Sequence, residues 1–181
     1  MIRSQTGFTL IELIVSLTVI TIIAGIILAG YAKFSQRQNL VAAGQNFKNI
    51  LTDAQSRAQS SEVDCSICGG CTTSGASDFK GWYVDFDNRE IYGKCADKTF
   101  SEKSFSDFNL PDESEIMITP HLTPPAGFLF NYSPSRTSSI TPSQNVTVCL
   151  QQANLDGLYY AIRISKVGII TDDNVSSSCV P

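Results

Sequence analysis

Proline is missing from the first 110 residues of this 181-residue chain; all seven prolines lie at Pro111 or later. Nothing in that stretch therefore forces a long helix to break. Histidine is nearly absent: His121 stands alone in the proline-rich segment Thr119–Pro125, where an exposed polar residue is expected. No histidine-rich metal motif, Gly-x-Ser-x-Gly elbow or phosphate loop occurs. The chain is read as a non-enzyme, with no catalytic residue, metal or cofactor assigned. Charge is scarce too, at 17% of residues. From Val63 onward, 8 Lys and Arg face 14 Asp and Glu. A broad phosphate-binding field is not expected from that balance, so nucleic acid is not an expected partner. At 43% hydrophobic residues, the chain is too apolar for a disordered polymer. Only one apolar run is long enough to cross a bilayer, which excludes a polytopic membrane protein.

That run extends from Leu13 to Ala32, 20 residues without a charge. It matches the ~20 residues needed to cross ~30 Å of hydrocarbon. Ser16, Thr18 and Thr21 can bond back to their own helix carbonyls, and Gly25 and Gly30 suit close helix packing. A cleaved secretory signal fits less well, because its apolar core is shorter. Arg3 precedes the run while Lys33 and Arg37 follow it, so flanking charge does not orient it. Glu12 stands at its start. A carboxylate at the centre of a membrane helix costs ~2.5–3.5 kcal/mol, and such groups are normally paired and functional. Near an interface the cost falls, and the acid could simply face headgroups.

Gly7-Phe8-Thr9-Leu10-Ile11-Glu12-Leu13-Ile14-Val15 resembles the processing and methylation motif of type IV pilin-like proteins, which include pilins and type II secretion pseudopilins. The resemblance implies cleavage between Gly7 and Phe8 by a prepilin peptidase, N-methylation of Phe8, and retention of the apolar helix. Glu12 would then pair with the methylated amino terminus of a neighbouring subunit. Two buried opposite charges in different chains satisfy each other at one axial stagger only, so the pair can set register. The implied partners are the peptidase, other pilin or pseudopilin subunits, an inner-membrane assembly platform, and the bilayer before assembly. The implied location is a single-pass inner membrane with an extracytoplasmic head, then a periplasmic pseudopilus or surface pilus.

After Lys33 the pattern turns amphipathic, with Leu40, Phe47, Ile50, Leu51, Ala54 and Ala58 at helical spacing. A helix from Phe8 to Ser60, 53 residues, would extend ~80 Å. Strand candidates follow: Gly81–Phe86, with Trp82, Val84 and Phe86 on one face; Glu90–Tyr92; Glu115–Thr119; Phe128–Asn131; Val146–Leu150; Leu158–Ser165; and Ile169–Thr171. Thr119–Pro125 and Ser133–Ser143 are expected as loops. The expected fold is α+β: a leader at 1–7, a membrane or filament-core helix at 8–32, an amphipathic helix at 33–62 and a β-rich head at 63–181. Asp53–Ala58, Trp82–Val84 and Ile162–Gly168 make the order similar to GspH/FimT-like minor pilins. Some of these bind DNA through arginines near the last hairpin; here Asp172 and Asp173 follow instead. The expected function is a structural subunit, minor pilin or pseudopilin. The alternative is an adhesive or DNA-uptake minor pilin whose head binds a surface ligand or DNA.

Six cysteines, Cys65, Cys68, Cys71, Cys95, Cys149 and Cys179, all lie beyond the apolar run. Cys65, Cys68 and Cys71 have part of an iron–sulfur spacing, but the fourth cysteine is missing. Zinc with Cys95 as a ligand is the other metal option. An even count in an exported portion favours three disulfides, tying helix exit, β-core and C-terminus, with 15 pairings open. Asp85, Asp87 and Glu90 could bind calcium, although an acidic hairpin turn explains them more simply.

Overall fold

The computed structural model describes residues 9–72, 75–76, 78–121, 126–133 and 139–179. Gly7, Phe8 and the expected leader at 1–7 lie outside them, as do parts of both expected loops.

Helix α1 runs without a break from Leu10 to Ser60. Thr9, in extended conformation, caps its start by accepting from the Glu12 N–H at 3.4 Å. Ser16 donates to the Glu12 carbonyl at 2.7 Å, and Thr18 and Thr21 donate to Val15 and Thr18 carbonyls. Each serine and threonine hydroxyl in the apolar run is thereby satisfied within the helix. Ser61, left-handed at φ 60°, ends the helix, its N–H turned back to the Arg57 carbonyl.

The head contains strands β1 (Cys71–Thr72), β2 (Gly75–Ala76), β3 (Gly81–Asp85), β4 (Glu90–Lys94), β5 (Thr99–Ser104), β6 (Ile116–His121), β7 (Gly127–Asn131), β8 (Ile140–Thr141), β9 (Val146–Gln152), β10 (Tyr159–Ile164) and β11 (Ile170–Ser176). One antiparallel sheet has the order β5-β4-β3-β7-β8 and another β11-β10-β9-β6, beside the β1–β2 hairpin. A 3-10 turn at Phe105–Phe108, capped by Ser104, is the one helical piece in the described head.

The two sheets and the C-terminal half of α1 share one core. Leu40, Phe47, Ile50, Leu51 and Ala54 are fully buried, joined by Trp82, Val84, Phe128 and Phe130 from one sheet and Val148, Tyr160 and Ile162 from the other. Phe47 meets Phe105 edge-on at 5.5 Å, a favoured arrangement of ring quadrupoles. Gly44 is required by packing: a Cβ there would run into the Tyr160 ring.

Several expectations need correction. The strand expected to end at Thr119 continues through Pro120 and His121 of the expected loop, and His121 is half-buried opposite Thr147. Proline is tolerated there because β6 is the edge of its sheet. The stretch expected as loop at Ser133–Ser143 contains β8. β5 and the β1–β2 hairpin were absent from the strand candidates. The last strand extends to Ser176, well beyond Thr171.

Candidate functional site

The most distinctive surface is the N-terminal half of α1. Leu10 is 77% exposed and Ile26 70%, whereas Leu40, Phe47 and Ile50 are 0% exposed. One continuous helix thus carries an uncovered apolar half and a buried half. Among the described residues it is the only helix long and apolar enough to cross a membrane. A Cβ at Gly25 or Gly30 would meet nothing within 4 Å, so neither glycine is demanded by contacts inside this chain.

Glu12 lies exposed in the first turn of α1. No ion-pair partner for it occurs among the described residues. A carboxylate near a helix N-terminus is stabilised by the helix dipole and unpaired N–H groups. The Thr9-x-x-Glu12 spacing is a capping signature legible in the sequence. The acid at the start of the apolar helix is therefore placed where the helix itself favours negative charge.

The join between helix and head is polar at its edges. Arg57 bonds Asp53 at 2.7 Å and Glu62 at 2.5 Å, and its guanidinium lies 5.0 Å from the Trp82 ring centre. Hydrogen bonding to Asp53 chiefly raises its pKa. The Trp82 indole donates to the Glu62 carbonyl at 3.1 Å, and Gln55 donates to the Gly168 carbonyl at 2.6 Å. The segments Asp53–Ala58, Trp82–Val84 and Ile162–Gly168 thus converge on one end of the head. Further along, Lys48 is ion-paired to Asp172, whose other oxygen accepts from the Tyr160 hydroxyl at 2.5 Å. Bonding to Lys48, then to Tyr160, lowers the Asp172 pKa. Burial, then the bond to Asp172, raises that of Tyr160.

All six cysteines are paired: Cys65 with Cys71, Cys68 with Cys95, and Cys149 with Cys179. One bridge closes a local loop, one ties that loop to the end of β4, and one holds the C-terminal segment to β9. No thiol remains for the iron–sulfur or zinc alternatives. His121 lies beside Cys149 and Cys179, with ligand atoms within 4.8 Å of one another, but that disulfide leaves the imidazole as the lone donor. Asp85 is occupied by the hairpin turn, accepting from the Asn88 N–H at 2.9 Å and its amide at 3.1 Å.

Residues 2–28 match the prokaryotic N-terminal methylation motif. The fold is similar to the crystal structure of the type IV minor pilin FimU from Pseudomonas aeruginosa strain PAO1. That likeness has a TM-score of 0.52 at 14% identity and covers 81% of this chain and 99% of the other. No curated protein sequence matches the chain. The N-terminal motif and the fold are thus both like those of type IV pilins: an N-terminal helix with an apolar half, carrying an antiparallel β head.

Proposed function

We propose that the chain is a structural subunit of a type IV pilus-like or type II secretion filament, used as a minor pilin or pseudopilin. The observation that carries this reading is the uncovered half of α1 with Glu12 in its first turn. About 20 apolar residues without a protein cover need either lipid or the helices of other subunits. In this reading a prepilin peptidase cuts between Gly7 and Phe8 and methylates Phe8. The helix then leaves the inner membrane at an assembly platform and enters a filament core. Glu12 meets a neighbour's amino terminus there and fixes the stagger. The head stays extracytoplasmic, in keeping with its three disulfides.

The test is to locate tagged full-length protein in purified filaments of its own cell. The expected result is sparse incorporation of the wild type. Glu12→Ala should be cleaved at least half as efficiently, but its amount in filaments should fall at least tenfold. Equal incorporation of the variant would sink the register role. Abundance along the whole shaft would reject the minor-subunit reading, and confinement to the membrane would reject assembly.

A further inference from the structure

The outer face of the five-stranded sheet, turned away from α1, has a composition that core packing does not explain. Strand register sets Tyr92, Tyr83, Leu129 and Thr141 in one row across β4, β3, β7 and β8. Tyr83 and Tyr92 are stacked, with ring centres 5.3 Å apart and planes 27° from parallel. A Cβ on Gly127 would lie 2.7 Å from Tyr83 Cε1 and 2.8 Å from Cζ. The Val84 carbonyl oxygen would be closer still, at 2.2 Å, so this part of β7 has room for no side chain and the far end of the Tyr83 ring reaches over it. Lys94 holds its ammonium 5.2 Å from the Tyr83 ring centre, a cation–π contact that requires the ring's face. Polar groups border the rings: Lys94 and Asn131 in the row on one side, Asp85 and Glu90 in the row on the other. Thr141 donates to the Asn131 side chain at 2.9 Å. Burial, then the charge of Asp85, raises the Tyr83 phenol and pushes Tyr92 up to about 12.

Size decides what such a face can hold. Three rows on three or four strands, at ~4.8 Å between strands and ~6.8 Å between alternate residues, make a tile of roughly 200 Å². A stable protein partner needs ~800 Å² on each side. Charges of both signs on the rim give no field for an anionic polymer. A ligand suited to the tile presents a flat C–H face to the electron-rich rings and hydroxyls to a mixed donor and acceptor rim. We infer that the Tyr83–Tyr92 face is a binding platform for a neutral carbohydrate, a pyranose unit taking the place of the Lys94 ammonium on the ring pair while Lys94, Glu90 and Asn131 bond its hydroxyls. This goes beyond the filament role and does not depend on it.

The experiment is ligand-observed saturation-transfer NMR on the full-length chain in a zwitterionic, sugar-free detergent, with cellohexaose, chitohexaose and maltohexaose as probes. Saturation should pass to ring C–H protons of at least one probe. Tyr83→Ala and Tyr92→Ala should each weaken that probe's binding at least tenfold, Lys94→Ala at least threefold, and Tyr83→Phe less than threefold. Because Lys94→Ala removes only a surface side chain, its result stands even if a tyrosine variant unfolds. No transfer to any probe, or equal binding by wild type, Lys94→Ala and a folded Tyr83→Ala, overturns the platform. So does self-association through this face, lost in Tyr83→Ala, without oligosaccharide binding.

Discussion

Asp172 joins helix and head through its ion pair with Lys48 and accepts a hydrogen bond from the Tyr160 hydroxyl. Its pKa is lowered on folding, so its contribution is present above the ordinary carboxylate value and is lost as pH falls through the folded one. Tyr160 behaves in the opposite sense. Its folded pKa is raised, so ionising it is penalised, and stability is lost as pH rises above ~10. The surface-facing Lys48 pair is worth at most ~1 kcal/mol, while a hydrogen bond to a charged group is worth ~1.5–3 kcal/mol. Melting followed by near-ultraviolet circular dichroism should therefore show a plateau between about pH 5 and 9 with declines on both sides. Tyr160→Phe should lower the plateau by ~1–3 kcal/mol and flatten the alkaline decline. An unchanged alkaline limb in that variant would show that another group governs it.

At the scale of elements, the three disulfides differ in what they hold. Cys149–Cys179 spans 30 residues and Cys65–Cys71 only 6. By loop entropy the first restrains the unfolded chain by about 3.6 kcal/mol and the second by about 2.2 kcal/mol. Replacing Cys149 and Cys179 by serine should accordingly lower stability more than replacing Cys65 and Cys71, in denaturant titrations of otherwise oxidised protein. The reverse order would mean that the local loop supports more of the fold than its length implies. The same elements show what the sequence could carry. Leu40, Phe47, Ile50, Leu51, Ala54 and Ala58 announce their face by spacing alone, and all six are buried. Trp82 and Val84 do so by alternation. Strand β5 does not, because Thr99-Phe100-Ser101-Glu102-Lys103-Ser104 lies on a sheet edge, where one buried residue, Phe100, suffices. Pro120 and His121 read as loop because the tolerance of an edge strand for proline is a property of sheet order. The Lys48–Asp172 pair joins residues 124 apart, and no local pattern encodes it. Glu12 was legible through its surroundings and through the Thr9-x-x-Glu12 spacing; the structure adds the Thr9 side chain accepting from the Glu12 N–H.

For the molecule as a whole, the two halves of α1 have separate physical settings. Every helix residue in the described core lies at or after Leu40. A chain beginning at Lys33 should therefore melt within a few degrees of the full-length protein in the same buffer. Loss of cooperative melting in that truncation would show that the apolar half supports the head directly. Between the halves, Lys33 and Arg37 replace the charge-free sequence at the point where a membrane or filament surface would lie.

The unbroken course of α1 also governs how the molecule bears force. At 1.5 Å per residue its 51 residues make a rod of roughly 77 Å. A pull on its apolar end runs along consecutive backbone hydrogen bonds before it reaches any strand. The head, attached along one flank from Leu40 to Ala58, is carried like a load clipped to a cable rather than a link within it. A tilt of 10° at the membrane end would swing the far end by roughly 13 Å over that length, with the sheets riding along.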